Sequence, residues 1–438
     1  MRLAFISYEF PPDTLGGIAT YARHTVSALD ARGHDLTIFA GTTGGMRGEE
    51  RFHGARVVRL PCTGRGSFSS VAVPALAAEH DRIPFDAAEV PDLYAEGAGL
   101  RRALPALPVL LRAHTPLYIP AEVDFLALPP LARRFSALRR LLGGFRHGGP
   151  WPRVWREARA RTDFWRAYDP ASDPERRAAL EADLVVPPSQ RLAQRLCTDW
   201  SLPAERVRVL PYAHEPAPDL LALAPPAGAR TIAFHGGVRR FKGVHVLAAA
   251  MPLVLARFPD VRFVLAGSSG VSPVPVLSLQ AWFDDNMTAW RDTVDWLRPQ
   301  FDALGAGRVT LSGFVRPENL PAHLAAADIC VFPSLFDNFP SACLEAMTAA
   351  RSIVATRSGG MEEMLGNDEA GLLVPPDDAA ALATALCRLL AAPDLRARLA
   401  MRARERVREL CAPERIAPQH EALFIEAMTR RREAVATP

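Results

Sequence analysis

Residues 313–365 read GFVRPENLPAHLAAADICVFPSLFDNFPSACLEAMTAARSIVATRSGGMEEML. DICVF and SIVAT are strand-length apolar runs, each followed by turn residues, and SACLEAM opens a helix between them. Strand, loop, helix and strand in that order form the βαβ unit of a parallel sheet.

The same rhythm extends in both directions. Upstream in the second half lie TIAFHGG, a helix from Val244 to Phe258, VRFVLAGSS and RVTLSGFV, and GLLVPP follows downstream. Between Ser268 and Gly307 the composition reads as a loop and an added helix. The first half alternates LAFISY, a helix from Ile18 to Arg32, DLTIFAG, ARVVRLP, FDAAEVP and PVLLRAHT, then DLVVPPS, a helix from about Gln190, and VRVLPYA. The expected fold class is therefore α/β, with two facing Rossmann-like, doubly wound parallel sheets and a cleft between them. The expected divisions are 1–211 with an insert at about 121–180, a Pro/Ala-rich linker at 212–229, a second domain at 230–412, and a terminal helix at 413–438. That last helix either ends the second domain or crosses back to the first.

A chain of 438 residues suits two domains. With 49% hydrophobic and 23% charged residues it has ordinary globular usage, and no apolar run reaches the length of a bilayer span. The N-terminal run reads as a first strand, and a cytoplasmic protein is expected. The six cysteines form no C-x-x-C pair and read as reduced thiols. A net charge of +3, with no basic motif interleaved with aromatics, gives no argument for nucleic acid. Lys242 is the only lysine in a chain that otherwise uses Arg. It belongs where a compact ammonium serves better than a planar fork.

Doubly wound sheets bind ligands at the carboxyl ends of their strands. Three candidate stretches fall there. Gly16 and Gly17 open a helix after the first strand, so backbone N–H groups can approach an anion closely. Arg239, Arg240 and Lys242 occupy a strand-to-helix loop in FHGGVRRFKGVHVL, where cations and a helix N-terminus can neutralise a diphosphate. Asp337 and Glu345 are eight positions apart across a loop and a helix start, and Gly359-Gly360 precede Glu362 and Glu363.

From Arg2 to about Leu390, inserts excepted, the chain resembles the retaining GT-B glycosyltransferases of family 4, the glycosyl transferases group 1. The resemblance is carried by the PS pair, the acid-x7-Glu string, EAM and the GG-x-x-E turn. It implies that Glu345 binds the nucleotide ribose and Asp337 the donor-sugar hydroxyls. It also implies that backbone amides around Asn338, Phe339, Pro340 and Ser341 help hold that sugar. It further implies that Lys242 contacts the donor diphosphate, that Gly16 and Gly17 lie beside the phosphates and acceptor, and that His114 lies near the reacting sugar. Two positions depart from the family pattern. Gly237 stands where an Arg is usual, which shifts diphosphate binding to Arg239 or Arg240, and Asp337 stands where Glu is usual.

The expected activity is transfer of a sugar from a nucleoside-diphosphate donor (UDP-, GDP- or ADP-sugar) to a hydroxyl acceptor: a glycan, a lipid-linked saccharide or a small metabolite. Catalytic roles fall to His114, Lys242 and Asp337. No cofactor is expected, the nucleotide sugar being a co-substrate. No metal is expected either, because no D-x-D motif follows a donor-domain strand. No carboxylate pair stands where double displacement would need one, so front-face retention is expected, the leaving phosphate taking the acceptor proton. Alternatives are a catalytically silent GT-B partner subunit and a GT-B epimerase or phosphorylase. In the insert, Leu131, Phe135, Leu138 and Leu142, then Trp151, Val154, Trp155, Ala158 and Trp165, lie along helical faces flanked by Arg. Such faces read either as core or, over 125–168, as a peripheral contact with anionic lipid.

Overall fold

The computed structural model describes residues 1–12, 16–42, 48–126, 168–228, 230–275 and 288–436. The aromatic stripes expected between 131 and 165 lie outside the described residues. The first sheet contains β1 (Arg2–Ser7), β2 (Asp35–Thr42), β3 (Gly48–Phe52), β4 (Ala55–Pro61), β5 (Ala87–Pro91), β6 (Val109–Arg112) and β7 (Leu184–Val186). Its strand order is β3-β4-β2-β1-β5-β6-β7, parallel except where β3 pairs with β4. The second sheet contains β8 (Thr231–His235), β9 (Arg262–Ala266), β12 (Val309–Gly313), β13 (Ile329–Phe332), β14 (Ser352–Thr356) and β15 (Leu372–Val374). Its order is β12-β9-β8-β13-β14-β15, all parallel. Every residue of β13 and β14 is buried, as a parallel strand covered on both faces requires.

In each sheet the winding reverses beside its first strand, between β1 and β5 and between β8 and β13. Those reversal points open a crevice at the strand carboxyl ends. One apolar core runs through both domains, from Leu3 and Phe5 past Leu210 and Tyr212 to Phe339, Leu344 and Met361. The helix Pro413–Ala436 lies against β5, β6 and the helix Gly17–Asp30 of the first domain, with Phe424 edge-on to Phe5.

Two local expectations fail. VRVLPYA forms no strand: Arg208 and Leu210 donate N–H groups to Val185 and Pro187 carbonyls, and Val207 makes an isolated bridge. Pro211 then has no N–H with which to continue the ladder. The stretch after Ser268 read as a loop holds β10 (Val271–Pro275), paired antiparallel with β11 (Thr288–Asp292), before the helix Thr293–Asp302. No helix among the described residues is long and apolar enough to cross a membrane.

Candidate functional site

Beyond β8 the chain makes a short 3-10 turn, Arg240–Lys242, and enters the helix Val244–Leu255 through Gly243 at φ 72°. A Cβ at Gly243 would lie 1.7 Å from the Pro333 carbonyl oxygen, so only glycine lets this turn press against the end of β13. That contact places the Lys242 ammonium 2.7 Å from Oδ2 of Asp337. Ser334 Oγ donates to the same oxygen at 2.9 Å, and the Asn338 N–H donates to Oδ1 at 3.1 Å. The next loop fixes Asp337 from behind. Gly360 N–H donates to its carbonyl at 3.0 Å, and Gly359, at φ 56°, comes so close that a Cβ would lie 1.8 Å from that oxygen. Phe339 sits at φ 64°, a conformation costing a side-chain-bearing residue about 1–3 kcal/mol. Its buried ring meets Tyr212 edge-on at 5.9 Å, packing that holds it there.

His114 faces this loop from the other domain, just beyond β6. Its N–H donates to Asp92 Oδ1 at 2.9 Å, and Nδ1 shares a 2.8 Å hydrogen bond with the Tyr212 hydroxyl. Burial, reinforced by the Arg112 and Arg65 guanidinium groups, holds the imidazole well below its ordinary pKa. His114 is thus a neutral hydrogen-bonding group near pH 7, not a cation. Gly16 is extended and starts the helix Gly17–Asp30, whose first turn has no side-chain cap. The backbone is closely covered: a Cβ at Gly16 would lie 2.6 Å from Glu9 Oε2, and Glu9 pairs with Arg65 at 2.5 Å. Arg65 also reaches Glu96 at 2.6 Å, whose carboxyl burial pushes up to about 7.

Two contacts join the facing loops. The Asn338 amide nitrogen donates to the His114 carbonyl at 2.6 Å while its oxygen accepts from Ser189 Oγ at 2.7 Å. The Glu363 carboxylate accepts from the N–H groups of Gln190 and Arg191, at 2.9 and 3.0 Å, at the start of the helix Gln190–Asp199.

The structure therefore brings His114, Lys242, Asp337, Asn338 and Phe339 together, with Pro340 and Ser341 leading into the helix Ser341–Thr348, which also lacks a side-chain cap. Glu345 is on that helix, half-buried and facing Arg23 of the helix Gly17–Asp30; burial lifts its carboxyl to about 7 against the pull of Arg23. The expected phosphate cations diverge. Arg239 is exposed, while Arg240 is buried and faced by the carboxylate of Asp377, with Asp124 near both. Among the described residues no cluster of His, Cys, Asp or Glu has the grouping to hold a metal. Sequence reading missed Glu9, Arg65, Asp92, Glu96 and Tyr212. Their available signal was position, since the first four follow β1, β4 and β5.

The model for "Glycosyltransferase Family 4" matches residues 15–216, and that for "Glycosyl transferases group 1" matches residues 229–392. The D-inositol 3-phosphate glycosyltransferase of Corynebacterium urealyticum is 31% identical over 41% of this chain and 39% of its own length. The alpha-D-kanosaminyltransferase of Streptomyces kanamyceticus is 29% identical over 55% of this chain and 59% of its own. The chain thus spans about half the length of these relatives. Sucrose-phosphate synthase from Thermosynechococcus elongatus shares the fold over the full length of both chains, with a TM-score of 0.68 and 24% identity. Two facing parallel sheets, the crevice at their reversal points and matched models on either side of it make this chain a GT-B protein of the family 4, group 1 glycosyltransferases.

Proposed function

We propose that the chain transfers a sugar from a nucleoside-diphosphate donor to a hydroxyl acceptor, with retention at the anomeric carbon and without a metal ion. The observation that carries this reading is the Lys242–Asp337 pair, set at the donor-domain reversal point and faced by neutral His114. Departure of a diphosphate creates negative charge, and a preorganised, part-buried ammonium stabilises it at little reorganisation cost. Exposed Arg239 and the uncapped first turns at Gly17 and Ser341 add positive potential. Asp337, fixed by three donors, has the position to accept sugar hydroxyls, and Glu345 has the chemistry to accept from a ribose. His114 has no charge with which to repel a developing oxocarbenium ion.

Front-face retention fits this donor set, since the leaving phosphate oxygen can take the acceptor proton. Thermal-shift screening against UDP-, GDP- and ADP-sugars, followed by NMR of the product anomeric proton, tests the proposal. An inverted product refutes retention, activity abolished by EDTA refutes metal independence, and donor binding without turnover on a broad acceptor panel favours a silent partner subunit. A cytoplasmic site of action is part of the proposal, supported by six free cysteines. So is peripheral contact with anionic membrane through 125–168, supported by the Arg- and Trp-rich sequence there and tested by flotation with anionic against neutral vesicles.

A further inference from the structure

We infer that the Asn338 side chain is an interdomain positioning residue: it seats His114 of one domain over the Lys242–Asp337 pair of the other, with Glu363 as a second clasp. The inference rests on the glycosyl-transfer reading of the cleft. Asn338 is 4% exposed, and both ends of its amide are engaged across the domain boundary, with Ser189 and with the carbonyl of His114. Both polar atoms of its amide are thus engaged within the protein. Asn338 is joined by one peptide to Asp337, whose carboxylate its own N–H also holds. Loss of its side-chain contacts shifts His114 relative to the Lys242–Asp337 pair, because Lys242 and Ser334 still hold the Asp337 carboxylate.

Ser189 is held from both sides. Its hydroxyl donates to Asn338 and accepts from Leu192 N–H at 3.2 Å, while a Cβ at Gly360 would stand only 3.0 Å from Ser189 Cβ. Three residues beyond Gly360, Glu363 places a carboxylate against the positive end of the helix Gln190–Asp199. The two clasps flank the loop that carries Asp337. Transfer requires reacting atoms to be held within a near-attack distance and water to be excluded, and an error near 1 Å costs about 100-fold in rate.

Asn338→Asp preserves size but replaces the donating NH2 with a carboxylate oxygen facing the His114 carbonyl. It is expected to widen the interdomain angle, seen as a larger radius of gyration by small-angle scattering both without ligand and with UDP or GDP. With the donor found by screening, kcat should fall about 10- to 100-fold while the donor KM changes less than about 3-fold. Glu363→Gln, which keeps one acceptor oxygen, should give a smaller change in the same direction. Circular dichroism and the melting midpoint establish that each variant is folded, and Asn338→Ala serves if the Asp variant is not. Scattering unchanged from wild type overturns the clasp, whether or not any sugar is transferred. An opened variant with undiminished kcat overturns the positioning role. Absence of turnover in wild type with every donor counts against the transfer reading alone, leaving scattering to decide the clasp.

Discussion

Replacing Lys242 by Ala removes the ammonium that lies 2.7 Å from Asp337, in a side chain 22% exposed. Two effects follow, and they have different readouts. In the fold, Asp337 loses its charged partner but keeps the Ser334 hydroxyl and the Asn338 N–H. A stranded buried charge costs about 3–5 kcal/mol; with two donors remaining, the expected loss is about 1–2 kcal/mol. In catalysis, losing one preorganised donor to a developing anion costs on the order of 100- to 1,000-fold in kcat, or about 2.7–4 kcal/mol. Urea denaturation measures the first and single-turnover kinetics with saturating donor the second. Lys242→Arg should recover only part of the rate. The turn cannot shift to admit the planar fork, because Gly243 is already pressed on the Pro333 carbonyl. A raised KM with kcat intact would show that Lys242 binds the ground state and transition state equally. Full activity in the Ala variant would remove it from the mechanism.

Glu345→Gln should weaken donor binding about 10- to 100-fold, through loss of a charge-assisted hydrogen bond to ribose. Because the folded carboxyl is raised from an ordinary 4.5 to about 7, its contribution to stability is present below pH 4.5 and lost as pH rises through 7. At pH 8 the Gln variant should therefore be the more stable by about 1–3 kcal/mol, whereas wild-type donor affinity should rise with pH through 7; the same difference in melting midpoint between the two proteins at about pH 4 and about pH 8 would contradict this. Gly359→Ala forces a Cβ to within 1.8 Å of the Asp337 carbonyl at φ 56°, and should cost about 2–4 kcal/mol in urea unfolding. His420→Ala removes the imidazole that meets the buried Glu89 carboxylate at 2.5 Å, opposite the Tyr21 hydroxyl at 2.6 Å, and should cost about 2–4 kcal/mol and expose the C-terminal helix to protease. An unchanged digestion pattern would show that other contacts anchor that helix.

The parts of the fold legible in the sequence were those decided locally. SIVAT and DICVF are buried along their whole length, so their composition carries the parallel-strand signal without reference to any partner. Pairing of β10 with β11 was not legible, because VSPVP contains two prolines that read as a loop until an opposing strand is known. The stretch VRVLPYA misled in the opposite sense: its apolar run is real, but Leu210 and Tyr212 serve the core joining the domains rather than another ladder. The side to which the last helix packs is not legible for a similar reason, since His420 and Phe424 have meaning only beside Glu89 and Phe5.

Within the site, the string from Asp337 to Glu345 was legible because contiguous residues share one loop and one helix. The role of Asn338 was not, since its partners Ser189 and His114 are 149 and 224 positions away. Nor was the ion trio of Glu9, Arg65 and Glu96, which three separate loops assemble. Adjacent Arg239 and Arg240 carry the same charge, yet one is exposed and the other buried, with Asp124 near both. Sequence could identify the cations but not separate them, because a turn tighter than an α-helix decides which of them is covered. Lys242 differs because composition and geometry give the same answer. In a chain that uses Arg almost everywhere, an ammonium is retained where the turn is clamped by Gly243 and the carboxylate lies at hydrogen-bond distance, a space matched to a point charge on a flexible stem.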